Sequence, residues 1–216
     1  MSVRLYISQA NQAHNAGPGG YTERAGMDAI SKATAAVFAQ DSRFEVKRNA
    51  ASGIDTASAN GIEANKWGAD YYVALHSNAG GTGARGTFGY YYSRASGGYK
   101  LAQAIVAAVS PLSPGPNSAL IAMPGFIELH TPNAPSCLIE LEAHDWKTGV
   151  SWLTTKRPEI ARALYEGVCK GVGLKPLPAK PVTVKPLTTG KTVTVKVPTA
   201  KPRWWASLTA WMKRTR

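Results

Sequence analysis

The stretch Gly68–Ala79, GADYYVALHSNA, decides how the chain is read. Gly68 stops whatever helix precedes it. Tyr71–Leu75 is a short continuous apolar run, the signature of a buried strand. The run ends in His76-Ser77-Asn78-Ala79-Gly80-Gly81, a polar loop. On the N-terminal side, Arg4–Ser8 (RLYIS) repeats the pattern and runs into Gln9–Gly20, where Asn11, Asn15, Pro18 and three glycines supply turn chemistry. A helix then starts with Thr22 as its N-cap and carries Met27, Ile30, Ala33, Val37 and Phe38 as apolar positions. Phe44–Val46 reads as a strand and Thr56–Trp67 as a second helix. Beyond the deciding stretch come a strand at Gly86–Tyr92, a helix at Gly98–Val109, a proline-rich loop at Ser110–Pro116, a strand at Ser136–Leu141 and a last helix at Pro158–Val172. Strands alternating with helices predict an α/β fold, a mostly parallel twisted sheet flanked by helices.

Charge divides the 216 residues unequally. The net charge is +12, yet 175–216 holds ten of the 25 basic residues and no acid. The remainder sets 15 basic residues against 13 acidic ones and is nearly neutral. This pattern excludes a uniformly basic nucleic-acid-binding domain and predicts a globular body, 1–174, with a basic appendage. A hydrophobic content of 44% gives the body a sizeable core. No run approaches the ~18 apolar residues of a membrane span. The opening MSVRLYISQANQAHN lacks the apolar centre of a secretory signal, so a protein held in the cytoplasm is expected. Two cysteines, Cys137 and Cys169, make no disulfide framework and read as small buried hydrophobes.

Ligands of such sheets bind at the carboxyl ends of the strands. The polar residues collected there are His14, Glu23, His76 and Glu140. Two histidines and a carboxylate make a three-ligand zinc site with an open position, and a carboxylate outside the metal shell serves as proton carrier. The spacing matches no short zinc signature, so pattern alone leaves the metal open.

Three segments, in order, carry a family resemblance. LYISQANQAHNAGPGGYTE (Leu5–Glu23) resembles the first ligand loop of the zinc-dependent N-acetylmuramoyl-L-alanine amidases of the amidase-3 type. Gly68–Ala79 resembles their Ala-Asp, strand, His-x-Asn-Ala segment, and APSCLIELEAHD (Ala134–Asp145) their Pro-x-x-Leu-x-Glu segment with a following His-Asp pair. The resemblance implies hydrolysis of the amide between N-acetylmuramic acid and L-alanine in peptidoglycan. It implies one zinc ion held by His14, Glu23 and His76, with Glu140 as general acid/base. Two departures stand out. Ser-Gln-Ala-Asn-Gln-Ala precedes His14 where many members have His-Gly-Gly directly after the strand, and Leu141-Glu142 replaces the usual Gly-Phe after the catalytic glutamate. The former is similar to a subgroup of phage and clostridial-type lysins. With no secretory signal, the expectation is a monomeric phage endolysin that waits in the host cytoplasm and acts on the wall after release.

Other residues carry competing readings. Glu142, two positions from Glu140, reads as a second carboxylate facing the zinc or as a supporting group. Glu128 is a substrate contact or a structural carboxylate, His130 an exposed histidine, and His144 a spare ligand or a structural hydrogen-bonding group. Asn11 and Asn78 read as turn formers. Tyr90–Tyr92 offer a sugar-stacking surface or ordinary strand alternation. A zinc hydrolase of the same fold with another amide substrate, and a non-catalytic wall- or membrane-binding protein, are the alternative functions.

The appendage has two parts. Lys/Pro/Thr-rich 175–202 repeats Lys-Pro and Val-Thr-Val-Lys, and reads as a semi-rigid spacer or as a hairpin about Thr189-Gly190. Arg203–Arg216, RWWASLTAWMKRTR, places Trp204, Leu208 and Trp211 on one helical face flanked by cations. That pattern suits an interfacial segment for a membrane or an anionic wall polymer; docking on the body and single-stranded nucleic acid are the weaker alternatives. Removing 175–216 is expected to leave hydrolysis of soluble substrate intact and to weaken binding to cells, most at low salt, where exposed charges are least screened. A cell-sedimentation assay checks this, and equal binding by the truncated chain contradicts it.

Overall fold

Every second residue of the central strands faces the same way, and this alternation sorts the molecule into two layers. In this computed structural model the described residues are 2–49 and 56–179, with the backbone of 182–184 and 193–195. The strands are β1 (Val3–Gln9), β2 (Ala16–Gly17), β3 (Tyr21–Thr22), β4 (Phe44–Arg48), β5 (Tyr71–Asn78), β6 (Gly86–Tyr91), β7 (Asn117–Ala122) and β8 (Ser136–Ala143). The helices are α1 (Glu23–Phe38), α2 (Ala57–Trp67), α3 (Gly97–Val109), α4 (Ile127–His130), α5 (Lys147–Thr155) and α6 (Arg157–Gly171). The main sheet has the order β4-β1-β5-β8-β6-β7. β4, β1, β5 and β8 run parallel, β6 is antiparallel to β8, and β7 is parallel to β6. The fold is therefore α/β with a mostly parallel sheet flanked by helices.

On one face Leu5, Ile7, Val73 and Leu75 meet Phe38 of α1 and Leu164 and Val168 of α6. On the other, Tyr6, Tyr72, Ala74 and Leu138 pack with Ala64 of α2 and Leu129 of α4. Tyr6 and Tyr72 stack there with centroids 5.5 Å apart. Continuing the period of two along β1, β5 and β8 brings Ser8, His76 and Glu140 onto this second face, at the strands' carboxyl ends.

Helix boundaries follow their caps. The Thr22 hydroxyl accepts from Ala25 N at 3.3 Å and the Thr56 hydroxyl from Ala59 N at 3.1 Å. Gly68 ends α2 in the left-handed region (φ 74°). Both cysteines are buried and free.

Five elements escape the sequence reading, two of them the two-residue strands β2 and β3 within and just after the first loop. β7 is a half-exposed edge strand behind a proline-rich loop. α4 has a single turn. α5 contains Gly149, an unfavourable helix residue, but a Cβ there would lie 2.1 Å from the Ala143 carbonyl oxygen, so close approach to β8 selects glycine. The central strands also run further than their apolar cores. β5 extends to Asn78 and β8 to Ala143, so His76 lies within a strand rather than in the expected loop, paired in register with Glu140.

Met1–Leu177 forms one compact unit and Pro178–Arg216 a second. In the second, Val182–Val184 and Val193–Val195 pair antiparallel, the hairpin alternative for the spacer. The expected interfacial segment 203–216 lies outside the described residues.

Asp41 links the turn after α1 to α6. Its buried carboxylate accepts Arg43 Nε at 2.8 Å, Arg43 Nη2 at 2.7 Å and the Tyr165 hydroxyl at 2.8 Å. The Arg43 hydrogen bonds, outweighing burial and aided by Tyr165, lower its pKa to about 2. A value depressed on folding means that the contribution is complete above the unfolded value, near 4, and is lost as pH falls toward 2. Asp41→Asn is expected to destabilise by about 1–3 kcal/mol at neutral pH, with the gap from the parent closing between pH 4 and 2. Urea unfolding at several pH values measures this, and a gap that does not change with pH contradicts it.

Candidate active site

Glu23 is the first residue of α1, where the helix N-terminus favours a carboxylate. The Thr22 cap turns it toward the end of β5. Its Oε1 accepts Ser77 N at 3.1 Å and lies 3.0 Å from His76 Nδ1, while its Oε2 accepts the Asn15 amide at 2.6 Å. On the far side of the imidazole, His76 Nε2 lies 2.8 Å from Glu128 Oε2. Glu128 Oε1 accepts the hydroxyls of Ser8 at 2.8 Å and Tyr72 at 3.2 Å. One imidazole thus sits between two carboxylates, with His76 only 9% and Glu128 7% exposed.

Burial disfavours charge on all three groups, but their mutual attraction prevails. The hydrogen bond and charge of His76 hold Glu23 below the usual carboxylate range. The His76 charge and hydrogen bond do the same for Glu128, aided by Ser8 and Tyr72. His76 is correspondingly raised well above an ordinary histidine, chiefly by Glu128.

Glu140 differs. Its Oε2 is fully covered and has no hydrogen-bond partner. Burial pushes its pKa up to about 7, opposed by His76 and reinforced by the Glu23 and Glu128 charges. A carboxyl near neutrality can both take and return a proton at physiological pH.

Glu142 is not a second copy of Glu140. Its oxygens accept Gly86 N at 2.7 Å, Ala143 N at 2.8 Å, Gly115 N at 2.9 Å and the Ser113 hydroxyl. The β5–β8 register shifts between the His76–Glu140 and Asn78–Ala143 pairs, with the extra residue on β8, and this accompanies the divergence. Glu142 pins the loop before β7 to β8, which removes the reading of a carboxylate facing the zinc. His144 has a structural role too, with Nδ1 donating to the Ser77 carbonyl at 2.7 Å and the ring stacked beside Tyr21. Asn78 caps its own turn, its Oδ1 accepting Ala79 N, and His130 is exposed.

The structure therefore brings Glu23, His76 and Glu140 together and adds Glu128, which sequence reading left among structural or substrate-contact carboxylates. The signal available for Glu128 was weak, an acidic residue in a one-turn helix. His14 stands apart. It is exposed, on the wall of a cavity of about 270 Å³ shared with His76, Glu128, Gln9, Asn11 and Asn60. Among the described residues no three His, Cys, Asp or Glu side chains are arranged to hold a metal ion. The donor chemistry nevertheless suits a cation between Glu23 and His76. Two carboxylates and the uncompensated Glu140 surround a single positive charge. His14 is adjacent to Asn15, which is already bonded to Glu23, so the loop places a third donor at the edge of the same site.

Comparison with known proteins gives the same architecture a family. Residues 9–170 match the model of the Amidase_3 family, N-acetylmuramoyl-L-alanine amidase. No curated protein sequence matches the chain. Among solved structures, the catalytic domain of CwlV, an N-acetylmuramoyl-L-alanine amidase from Bacillus (Paenibacillus) polymyxa var. colistinus, superposes with a TM-score of 0.68 at 16% identity, covering 80% of this chain and 99% of that one. AmiC2 of Nostoc punctiforme gives 0.68 at 19% identity, with 79% and 97% covered. The catalytic domain of the CD27L endolysin targeting Clostridia difficile gives 0.62 at 19% identity, with 78% and 97% covered. At these identities the likeness establishes the fold.

Proposed function

From the chain's membership of the Amidase_3 family of N-acetylmuramoyl-L-alanine amidases, we propose that it is a zinc-dependent enzyme hydrolysing the amide between N-acetylmuramic acid and L-alanine, and that it serves as a phage endolysin. The observation that carries the catalytic reading is the orphaned, neutral-range Glu140 beside the Glu23–His76–Glu128 cluster. Glu23 and His76, with His14 from the cavity wall, would hold the zinc. When bound, that ion polarises the scissile carbonyl and lowers the pKa of a water molecule. The Glu140 carboxylate takes the proton from the attacking water and returns it to the leaving amide nitrogen. Burial suits it to both steps, because its pKa lies close to the working pH. Asn11 and Asn60 line the cavity with amide side chains, which would bond the amide groups of a muramyl peptide.

The endolysin reading is supported by the loop preceding His14 and by the likeness to an endolysin catalytic domain. The basic 175–216 segment serves this role by holding the enzyme to an anionic wall or membrane surface.

Glu140→Gln is expected to lower the release of dye-labelled peptidoglycan by about 10²–10⁴-fold, while Glu142→Gln keeps activity per folded molecule. Chelation is expected to abolish release and added zinc to restore it. Full activity in Glu140→Gln, or at near-zero metal content, contradicts the proposal.

A further inference from the structure

Glu128 is a carboxylate with every orientation fixed. Its Oε1 takes two hydroxyl protons, from Ser8 on β1 and Tyr72 on β5. The Ser8 hydroxyl oxygen is itself occupied by the Asn60 amide of α2, which donates to it at 3.0 Å. With that side of Ser8 filled, its one proton points at Glu128. A chain of four side chains, Asn60, Ser8, Glu128 and His76, therefore runs from α2 to the imidazole. Its last link leaves Glu128 Oε2 as an acceptor facing Nε2, and an ionised carboxylate can only accept.

Nε2 must then carry a proton, and Nδ1 is the nitrogen free to use a lone pair. Nδ1 faces Glu23 Oε1 at 3.0 Å. Two acceptors at that separation need a cation between them, either a proton or a metal ion. We propose that Glu128 is a positioning residue: it holds His76 in the Nε2–H tautomer, aims Nδ1 at the metal shared with Glu23, and does not itself bind the metal. This assignment rests on the metal-centre reading given above. The arrangement has the chemistry of a carboxylate–histidine–metal triad, in which the outer carboxylate fixes the ring and raises its basicity.

The test is nuclear magnetic resonance of the full chain, labelled with ¹⁵N-histidine and loaded with ¹¹³Cd²⁺. The His76 signals are assigned by their loss in His76→Gln. The expected result is scalar coupling of cadmium to Nδ1 and a directly bonded, slowly exchanging proton on Nε2. Glu128→Gln is expected to keep the Nδ1 coupling and to weaken cadmium and zinc binding about 10–100-fold in chelator competition. Coupling to Nε2 would overturn the proposal by making Glu128 a neighbouring ligand. Unchanged metal affinity in Glu128→Gln would overturn it by reducing Glu128 to a tether for α4. Coupling at neither nitrogen would overturn the metal-centre reading as well, which separates that failure from the first two.

Discussion

An imidazole buried between two carboxylates is the constraint on which the remaining structure depends. Each ion withdrawn from water costs several kcal/mol, and the cost is offset only where geometry is good and the remaining polar atoms are paired. Here the pairing comes from six places. Ser8 and Tyr72 serve Glu128; Asn15 and Ser77 N serve Glu23; Asn60 orders Ser8; and His76 joins the two carboxylates. These six groups lie on β1, β5, the first loop and α2, and the two carboxylates they serve lie on α1 and α4. A shift of one residue in the β1–β5 register would move Ser8 to the opposite face and take its hydroxyl away from Glu128. The stacked Tyr6–Tyr72 pair beneath fixes that register by packing. Core and site thus enforce the same alignment, and the apolar layer is what permits the charged one.

Two glutamates on one strand show how environment assigns roles. Glu140 and Glu142 are the same residue type two positions apart. Glu142 accepts from three backbone N–H groups and a hydroxyl, and acts as an anchor. Glu140 meets no donor at its covered oxygen, and its charge is disfavoured. An anchored anion is useless for moving protons, whereas an unanchored one in a covered site is ready to do so. Glu142 also ties the loop before β7 to β8 through Ser113 and Gly115.

Much of this was legible in the sequence. Continuous apolar runs at Arg4–Ser8, Tyr71–Leu75 and Ser136–Leu141 marked the central strands, and the polar residues after them marked the site edge. Glu23 and His76 were readable because each adjoins a clear local signal, a cap and a strand end. Glu128 was not, because α4 is one turn long and its partners Ser8, Tyr72 and His76 all lie far away in the chain. Parity along the strand put Glu142 beside Glu140, but parity takes no account of the extra residue that β8 carries after Glu140. α5 was hidden by a glycine that a backbone contact requires. In each case the missing information was tertiary contact rather than local propensity.

The central claim is a bond: the amide joining the muramic lactyl group to L-alanine. Mass spectrometry of purified peptidoglycan, digested by the zinc-loaded chain, tests it most directly. The account predicts free stem peptides beginning at L-alanine and glycan strands of unchanged length. Shortened glycans, or peptides cut only within their cross-bridges, would contradict it.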